Sequence, residues 1–149
     1  MSRFVRRVAV VDAMILIKML DREEVRDEAF VDFFLVSFDL VLIPKAVKGE
    51  VRCGRRHNTR YKLGRLLKKW ERVIRLCPVP VRDLDNLAVL HSLMRLGRGE
   101  REGIAQILAL MAGYKEIYLI SDDGDAINEC KKLGLKYLNY EQFRRRDIL

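Results

Sequence analysis

The sequence predicts an α/β protein of three layers, in which helices cover both faces of a central, mainly parallel sheet of four to five strands. Short apolar runs alternate with longer amphipathic segments along the chain. The first run, at residues 8–11, consists of valine and alanine, which is typical of a strand buried on both faces of a parallel sheet. Strands that alternate with helices are joined by crossovers, and crossovers favour a parallel order.

Each strand and helix is predicted from local signals in the sequence. Strands are predicted at residues 8–11, 40–43, 117–120 and 135–138. A further short strand around 76–81 is placed at an edge of the sheet, because Pro78 and Pro80 lack the backbone donors that a central strand needs. Helices are predicted at residues 13–20, 23–36, from 44 onwards, 59–75, 83–97, 100–112 and 126–133.

Capping residues set several helix boundaries. Pro44 opens a helix at its first position, where the missing N–H costs nothing. Asp83 or Asp85 is expected to cap the helix that ends near residue 97. Gly113 and Gly134 are expected to end the two helices before them, and a short basic tail follows the last strand.

Length and composition favour one folded domain over residues 1–149. Half of the 149 residues are hydrophobic and 34% are charged, with no repeat, low-complexity segment or long linker. The formal net charge of +8 favours a polyanionic partner, of which nucleic acid is the first candidate. An anionic membrane surface and an acidic protein are the alternatives.

Cysteine and histidine usage argues against zinc chemistry. The three cysteines are scattered, with no CxxC pair, and the two histidines form no HExxH motif. Unpaired thiols indicate a reducing compartment, so a cytoplasmic location is expected. No apolar stretch reaches the length of about 18 residues that a membrane-spanning helix requires.

Acidic residues follow two of the predicted strands directly. Asp12 comes after the strand at 8–11, and Ser121, Asp122, Asp123 and Asp125 come after the strand at 117–120. Ligands of open α/β sheets bind beyond the carboxyl ends of the strands, so these carboxylates converge if the two strands are neighbours. Crowded carboxylates require a cation, and hard oxygen ligands select Mg²⁺ or Mn²⁺. Taken singly, an aspartate at these positions is more simply a helix cap or a turn residue.

The acids lie in four short segments: VVDA at 10–13 leading into ILI at 15–17, IPKAVKGEV at 43–51, GEREGIA at 99–105 and ISDDGD at 120–125. Together, and in this order, they resemble the motifs of PIN-domain nucleases, which include the VapC-type toxins and several RNA-processing nucleases. The resemblance extends from residue 8 to about residue 138. It implies a PIN-like fold and a metal-dependent endoribonuclease whose products carry 5′-phosphate and 3′-hydroxyl ends.

The resemblance also implies roles for individual residues. The catalytic, metal-binding acids would be Asp12, Glu50, Glu102 and Asp123, holding Mg²⁺ or Mn²⁺. Ser121 would support the site through its hydroxyl, and two further acids, Asp125 and Asp122, would be additional metal ligands. Asp122 ranks below Asp123 because it occupies the variable position between the hydroxyl and the acid. RNA, a cognate antitoxin and a second copy of the chain are the partners implied.

Two positions depart from the family pattern. Met14 stands where a small polar residue often lies near the first acid, so a supporting hydrogen bond is lost. Glu102 stands where many members have aspartate, and Glu100 is a rival two residues away. Those two residues point to different faces of a helix. The small and apolar residues that follow Glu102 favour it as the inward acid, and Glu100 fits a solvated position at the helix start.

A basic region follows the second acidic segment. Ten lysines and arginines and a single acid occur between residues 52 and 75. The residues at its start are predicted to contact RNA phosphates beside the metal site. These are Arg52, Arg55, Arg56, Arg60 and Lys62. For the basic residues from 65 to 75, a merely solvated helix face is an equal alternative.

Two other classes of function compete with the nuclease. One is a non-catalytic RNA- or protein-binding module on the same fold, in which Met14 marks a weakened site. The other is a different α/β phosphoryl enzyme. A haloacid-dehalogenase-like phosphatase needs a second aspartate where Met14 stands, and neither the acid pair of a receiver domain nor a Gly-rich phosphate loop is present. The sequence leaves open whether the role is that of a toxin or of an RNA-maturation enzyme.

Overall fold

A computed structural model describes residues 7–12, 14–15, 38–46, 65, 68, 72–76, 78–114 and 116–145 of the chain, with Arg144 described in its backbone alone. Strands and helices are numbered along these residues. The five strands are β1 (Arg7–Val11), β2 (Leu40–Ile43), β3 (Ile74–Leu76), β4 (Glu116–Ile120) and β5 (Lys136–Leu138). The helices are α1 (Val81–Leu90), α2 (Arg98–Leu110), α3 (Gly124–Leu133) and α4 (Tyr140–Arg145), and a 3₁₀ turn at Met111–Gly113 follows α2.

All five strands pair in parallel, in the spatial order β3-β2-β1-β4-β5. The chain runs outward from β1 to β2 and β3, then returns to the other side of β1 to form β4 and β5. The strand order therefore reverses between β1 and β4. Such a reversal opens a crevice at the carboxyl ends of the two strands, because their connections lead away in opposite directions.

The central strand β1 is buried on both faces, as its apolar sequence predicts. On one face, Val8 and Val10 share a core cluster with Ile104 and Ile107 of α2 and with Cys130 of α3. The opposite face is also covered. There the ring of Phe143, on α4, lies 5.5 Å from the ring of Phe38, which in turn lies 6.2 Å from Tyr118 of β4. Helices on both sides of a parallel sheet confirm the predicted three-layer α/β/α fold.

Residues 73–76 differ from the prediction. The helix predicted to end at residue 75 gives way to a strand, since Ile74 and Arg75 belong to β3. The strand predicted around 76–81 therefore lies earlier, at the edge position expected for it. Pairing with β2 explains the shift, because the Val41 N–H donates to the Val73 carbonyl at 2.7 Å and Val41 pairs with Ile74. Tertiary strand pairing overrides the helical spacing of the local sequence.

Helix α1 also begins and ends earlier than predicted. Pro80 takes the cap position, and Asp83 lies in the first turn rather than at the cap. The helix ends at Leu90 instead of near residue 97. Ser92 has a left-handed backbone (φ 58°), and the Leu93 N–H turns back to the Ala88 carbonyl at 2.7 Å. This tight turn ends the helix without a glycine.

The later helices agree with the prediction at α2 and α3 and differ from it at α4. Helix α2 begins at Arg98, and α3 begins at Gly124 and stops at the cap residue Gly134, whose φ of 68° is the left-handed conformation expected of a glycine stop. A helix, α4, stands where a basic tail was predicted. Residues 14–15 and 45–46 are helical, as predicted, and the rest of the helices predicted at 13–20, at 23–36 and after Pro44 lies outside the described residues. In the part of the chain that the structure describes, no helix has the length and apolar character needed to cross a membrane.

Candidate metal centre

Asp12 and Ser121 lie side by side where the strand order reverses. The last register pair of β1 and β4 joins Val11 to Ile120, so the next residue of each strand enters the crevice. The Asp12 N–H continues the ladder by donating to the Ile120 carbonyl at 3.3 Å. The Asp12 side chain lies there with only 4% of the residue exposed.

Hydrogen bonds link Asp12 to the segment after β4. The Ser121 hydroxyl donates to Asp12 Oδ2 and accepts from the Asp123 N–H at 3.0 Å. A single hydroxyl thus holds the first acidic segment against the fourth. The other oxygen, Asp12 Oδ1, accepts from the Ile15 N–H at 2.9 Å and so caps the helical residues that follow β1.

Asp123 also caps a helix. Its Oδ1 accepts from the Ala126 N–H at 2.9 Å at the start of α3. The simple capping roles weighed from the sequence are therefore real for both aspartates. They do not compete with cation binding, since a carboxylate offers about four lone-pair sites and capping occupies one.

Burial controls the charge of Asp12. Removal from water raises the pKa of this carboxyl above its usual range, and the hydrogen bonds from Ser121 and Ile15 lower it in part. The negative charges of Glu100 and Asp122 raise the pKa further. A divalent cation would reverse this balance, because it stabilises the ionised form that burial disfavours.

Glu102 is buried at the start of α2, with 1% of the residue exposed. Its Oε2 accepts from the Ala46 N–H at 3.0 Å, which ties α2 to the helical residues after β2. Its Oε1 has no hydrogen-bond partner among the described residues, and Arg98 Nε lies 3.7 Å from it. A buried carboxylate oxygen without a donor is a suitable ligand for a hard cation.

Gly103 sets the distance between α2 and the sheet. A Cβ at this position would lie 3.3 Å from Leu119 Cδ1 and 3.6 Å from Val10 Cγ1. Glycine therefore lets the helix backbone approach the last residues of β1 and β4 closely. The acidic turn of α2 is thereby placed near the carboxyl ends of these strands.

Glu100 has a different position from the one that the sequence predicts. A solvated helix start is expected for it, but it is partly buried, and its charge acts on the Asp12 carboxyl. Glu102, in contrast, has its contact at Ala46. The two glutamates of the GEREGIA segment are thus divided between the ends of β1 and β2. Their two-residue spacing predicts that they lie on different sides of the helix, but not which strand end each of them approaches.

The two remaining acids of the fourth segment are more exposed than Asp123. Asp122 is exposed, and its Oδ1 accepts from the Tyr140 N–H at 2.9 Å, at the start of α4. Asp125 is exposed in the first turn of α3. Among the described ranges, no three acidic, histidine or cysteine side chains form a group that could hold a metal ion together. The structure thus brings Asp12, Ser121 and Asp123 together and does not bring Asp122, Asp125 or Glu102 into such a group with them.

Six predicted site residues lie outside the described residues. These are the acid Glu50 and the basic residues Arg52, Arg55, Arg56, Arg60 and Lys62.

The metal ligands that the structure does describe suit Mg²⁺ or Mn²⁺, because all of them are carboxylate oxygens. One of these oxygens, Glu102 Oε1, is buried without a hydrogen-bond partner in the described ranges.

Solved structures of known proteins share this fold. One is "VapBC-1 from nontypeable Haemophilus influenzae", which is 12% identical, with a TM-score of 0.58 over 90% of this chain and 98% of that chain. Another is "VapBC2 from Rickettsia felis bound to a DNA fragment from their promoter", 14% identical, with a TM-score of 0.57 over 89% of this chain and 98% of that chain. Comparison with protein-family models and with curated protein sequences finds no match. The likeness confirms the predicted PIN-like α/β/α fold.

Proposed function

We propose that this chain is a metal-dependent endoribonuclease, in which Asp12, Glu50, Glu102 and Asp123 hold Mg²⁺ or Mn²⁺. The observation that carries the proposal is the buried Asp12 carboxylate at the reversal of the strand order, bonded through Ser121 to the segment that bears Asp123. Burial raises the pKa of the Asp12 carboxyl, and nearby acids raise it further. Keeping this carboxylate ionised therefore destabilises the fold unless a cation offsets its charge. Active sites are where such costs are found.

The described residues have separable tasks in this proposal. Asp12 would bind the ion, and Ser121 would hold the Asp12 carboxylate in one orientation. Asp123 would approach from the start of α3, and Glu102 would offer the Oε1 atom that has no donor among the described residues. The bound ion would polarise a phosphodiester oxygen and activate a water for attack on phosphorus. Asp122, Asp125 and Glu100 would add negative charge at the rim.

The basic character of the chain supports RNA as the substrate. With a net charge of +8, the chain attracts polyanions, and the attraction weakens with salt because counterions are released on binding. We propose that Arg52, Arg55, Arg56, Arg60 and Lys62 contact phosphates on either side of the bond that is cut. Contacts of this kind position the nucleic acid without reading its sequence.

The biological role is proposed from the neighbours in structure. Both neighbours are VapBC structures, which supports the toxin of a toxin–antitoxin pair, with an antitoxin protein as the partner. An RNA-processing nuclease is the alternative role within the same family. We further propose that residues 1–149 act as one cytoplasmic domain that forms a homodimer.

A non-catalytic RNA- or protein-binding module is the second candidate. Met14 favours it, because this side chain is 55% exposed two residues after Asp12, where the family often has a small polar group. A methionine there cannot donate the hydrogen bond that a hydroxyl would supply. Both candidates share the fold and the basic charge, so cleavage itself separates them.

The decisive experiment is cleavage of a structured RNA in the presence of Mn²⁺ or EDTA. Asp12→Asn should reduce Mn²⁺-dependent cleavage by at least about two orders of magnitude, because the metal loses a central ligand. Asp85→Asn, an exposed position on α1, is the matched control and should cleave like the wild type. Cleavage by Asp12→Asn at the wild-type rate would contradict the proposal. RNA binding by the wild type without cleavage would favour the binding module.

A further inference from the structure

A row of three polar side chains runs along one face of α2, from the surface into the core. It consists of Arg98, Glu102 and Gln106, spaced four residues apart and therefore on one face of the helix. Arg98 reaches solvent, with 64% of its side chain exposed, whereas Gln106 is 0% exposed. The row thus leads from the surface at Arg98, past the proposed metal ligand Glu102, to a fully buried amide.

Neither polar atom of the Gln106 side chain has a hydrogen-bond partner among the described residues. The same is true of Glu102 Oε1, one helical turn earlier. Arg101 Nε, on the residue before Glu102, is likewise buried without a hydrogen-bond partner among the described residues. Buried polar groups in folded proteins are almost always bonded to protein or to ordered water, so these atoms in adjacent turns require an explanation. An apolar side chain of the same size would fill the Gln106 position without any unpaired group.

The geometry of the helix brings these atoms towards each other. Residues four apart on a helix are neighbours, and helical side chains lean towards the N-terminus. The Gln106 amide therefore lies over the turn that carries Glu102. Gln106 Nε2 offers a donor and Glu102 Oε1 an acceptor, and a buried water can bridge such a pair, since buried waters bond to polar groups that have no other partner.

We propose that Gln106 is a positioning residue that holds the Glu102 carboxylate through one buried water. The water accepts from Gln106 Nε2 and donates to Glu102 Oε1. Because Oε2 already accepts from the Ala46 N–H, both carboxylate oxygens are then fixed before a cation arrives. Arg98 cannot do this work, since its Nε is 3.7 Å away and its side chain is largely solvated. The link to catalysis rests on the proposed function, in which Glu102 is a metal ligand.

The variant Gln106→Met tests the proposal, because methionine keeps the size of the side chain and removes the amide. The first measurement is a high-resolution crystal structure of the metal-free protein. The expected result is an ordered water within hydrogen-bond distance of Gln106 Nε2 and Glu102 Oε1 in the wild type and its loss in the variant. A wild-type structure without this water overturns the proposal, whether or not the protein binds metal.

The second measurement is the Mn²⁺ affinity by calorimetry. Partners of metal ligands typically change metal affinity by about 10- to 100-fold, so a loss of that size is expected for Gln106→Met. Leu108→Met, a partly buried position on the same helix, is the control and should bind Mn²⁺ like the wild type. In a Glu102→Gln background, Gln106→Met should have no further effect.

The two proposals fail in different ways. If the wild type binds Mn²⁺ and Gln106→Met binds it equally well, the positioning role is overturned and the metal site stands. If the wild type itself binds no Mn²⁺, the proposed function fails, and the crystal structure alone decides whether the water links the two side chains. A purely structural Gln106 would change the melting temperature and leave Mn²⁺ affinity unchanged, which also overturns the positioning role.

Discussion

At the scale of the residue, the site depends on how one carboxyl is kept both buried and ionisable. Asp12 loses its hydration, and this loss is the largest influence on its pKa. Hydrogen bonds from the Ser121 hydroxyl and the Ile15 N–H replace part of the lost hydrogen bonding to water. What remains is a group that gains from a nearby cation, which is the electrostatic basis of the proposed metal site.

The raised pKa of Asp12 predicts how stability depends on pH in the metal-free protein. A carboxyl whose folded pKa lies above its unfolded value of 3.8 stabilises the fold below that value, and this contribution is lost as pH rises through the folded pKa. The free energy of unfolding of the wild type, relative to Asp12→Asn, should therefore fall as pH rises from about 4 and then level off. Urea unfolding in EDTA measures this difference.

Mn²⁺ provides the matched comparison for this pH series. At neutral pH the ion should stabilise the wild type and leave Asp12→Asn nearly unchanged, because it binds only the folded site.

The metal-free pH series also has an outcome that contradicts the account. If the free energy of unfolding of the wild type rises relative to that of Asp12→Asn between about pH 4 and pH 7, the pKa of the Asp12 carboxyl is not raised.

The sequence was sufficient for part of the site at this scale. Asp12, Ser121 and Asp123 follow strands, and parallel strands of an α/β sheet end at one edge, so the sequence predicts that these residues meet if the two strands are neighbours. That β1 and β4 are neighbours comes from the structure. The division between Glu100 and Glu102 could not, because it depends on the rotation of α2 about its own axis. Side-chain packing on the sheet sets that rotation, and no local pattern records it.

At the scale of the element, α2 is the helix that places Glu100 and Glu102 near the carboxyl ends of the strands. Its apolar residues Ile104 and Ile107 pack into the core, and Ala105 packs against Leu84 of α1. These contacts fix the rotation of the helix, while Gly103 fixes its height above the sheet. The position of Glu102 is thus set by the close packing of the next residue, Gly103, on the sheet.

Gly103→Val should disturb both stability and metal binding. The branched side chain would collide with Leu119 and Val10, and overpacking of this kind costs about 1–3 kcal/mol. Relief of the collision requires α2 to move away from the sheet, which would carry Glu102 with it and weaken Mn²⁺ binding. Urea unfolding and calorimetry measure the two effects.

Gly113→Val is the control for this variant, because a Cβ at Gly113 meets nothing within 4 Å. It should leave Mn²⁺ affinity unchanged. Equal Mn²⁺ affinity for Gly103→Val and the wild type would show that the height of α2 above the sheet does not matter for the site.

Elements differ in how well local sequence predicts them. The buried strand β1 and the glycine-terminated α3 have strong local signals, and both are found where they were predicted. Strand β3 lies within apolar residues at helical spacing, and only its pairing with β2 makes it a strand. Helix α4 was missed because its basic residues suggested a solvated tail. The bond from the Tyr140 N–H to Asp122 comes from a segment 18 residues away, so it is not visible locally.

At the scale of the whole molecule, the order of the strands creates the site. Local signals predict parallel strands, but not that β1 lies between β2 and β4. That placement depends on strand pairing: β1 pairs with β2 on one side and with β4 on the other, and its residues 8–11 are buried, as at the centre of a parallel sheet. The reversal of strand order beside β1 then gives the chain a crevice with acids on its rim.

The central claim is that this crevice binds a divalent cation, and titration of the metal-free protein with Mn²⁺ by calorimetry tests it most directly. We expect saturable binding by the wild type, loss of that binding in Asp12→Asn, and unchanged binding in the exposed control Asp85→Asn. Absence of binding heat in the wild type up to millimolar Mn²⁺, or binding by Asp12→Asn equal to the wild type, would contradict this claim.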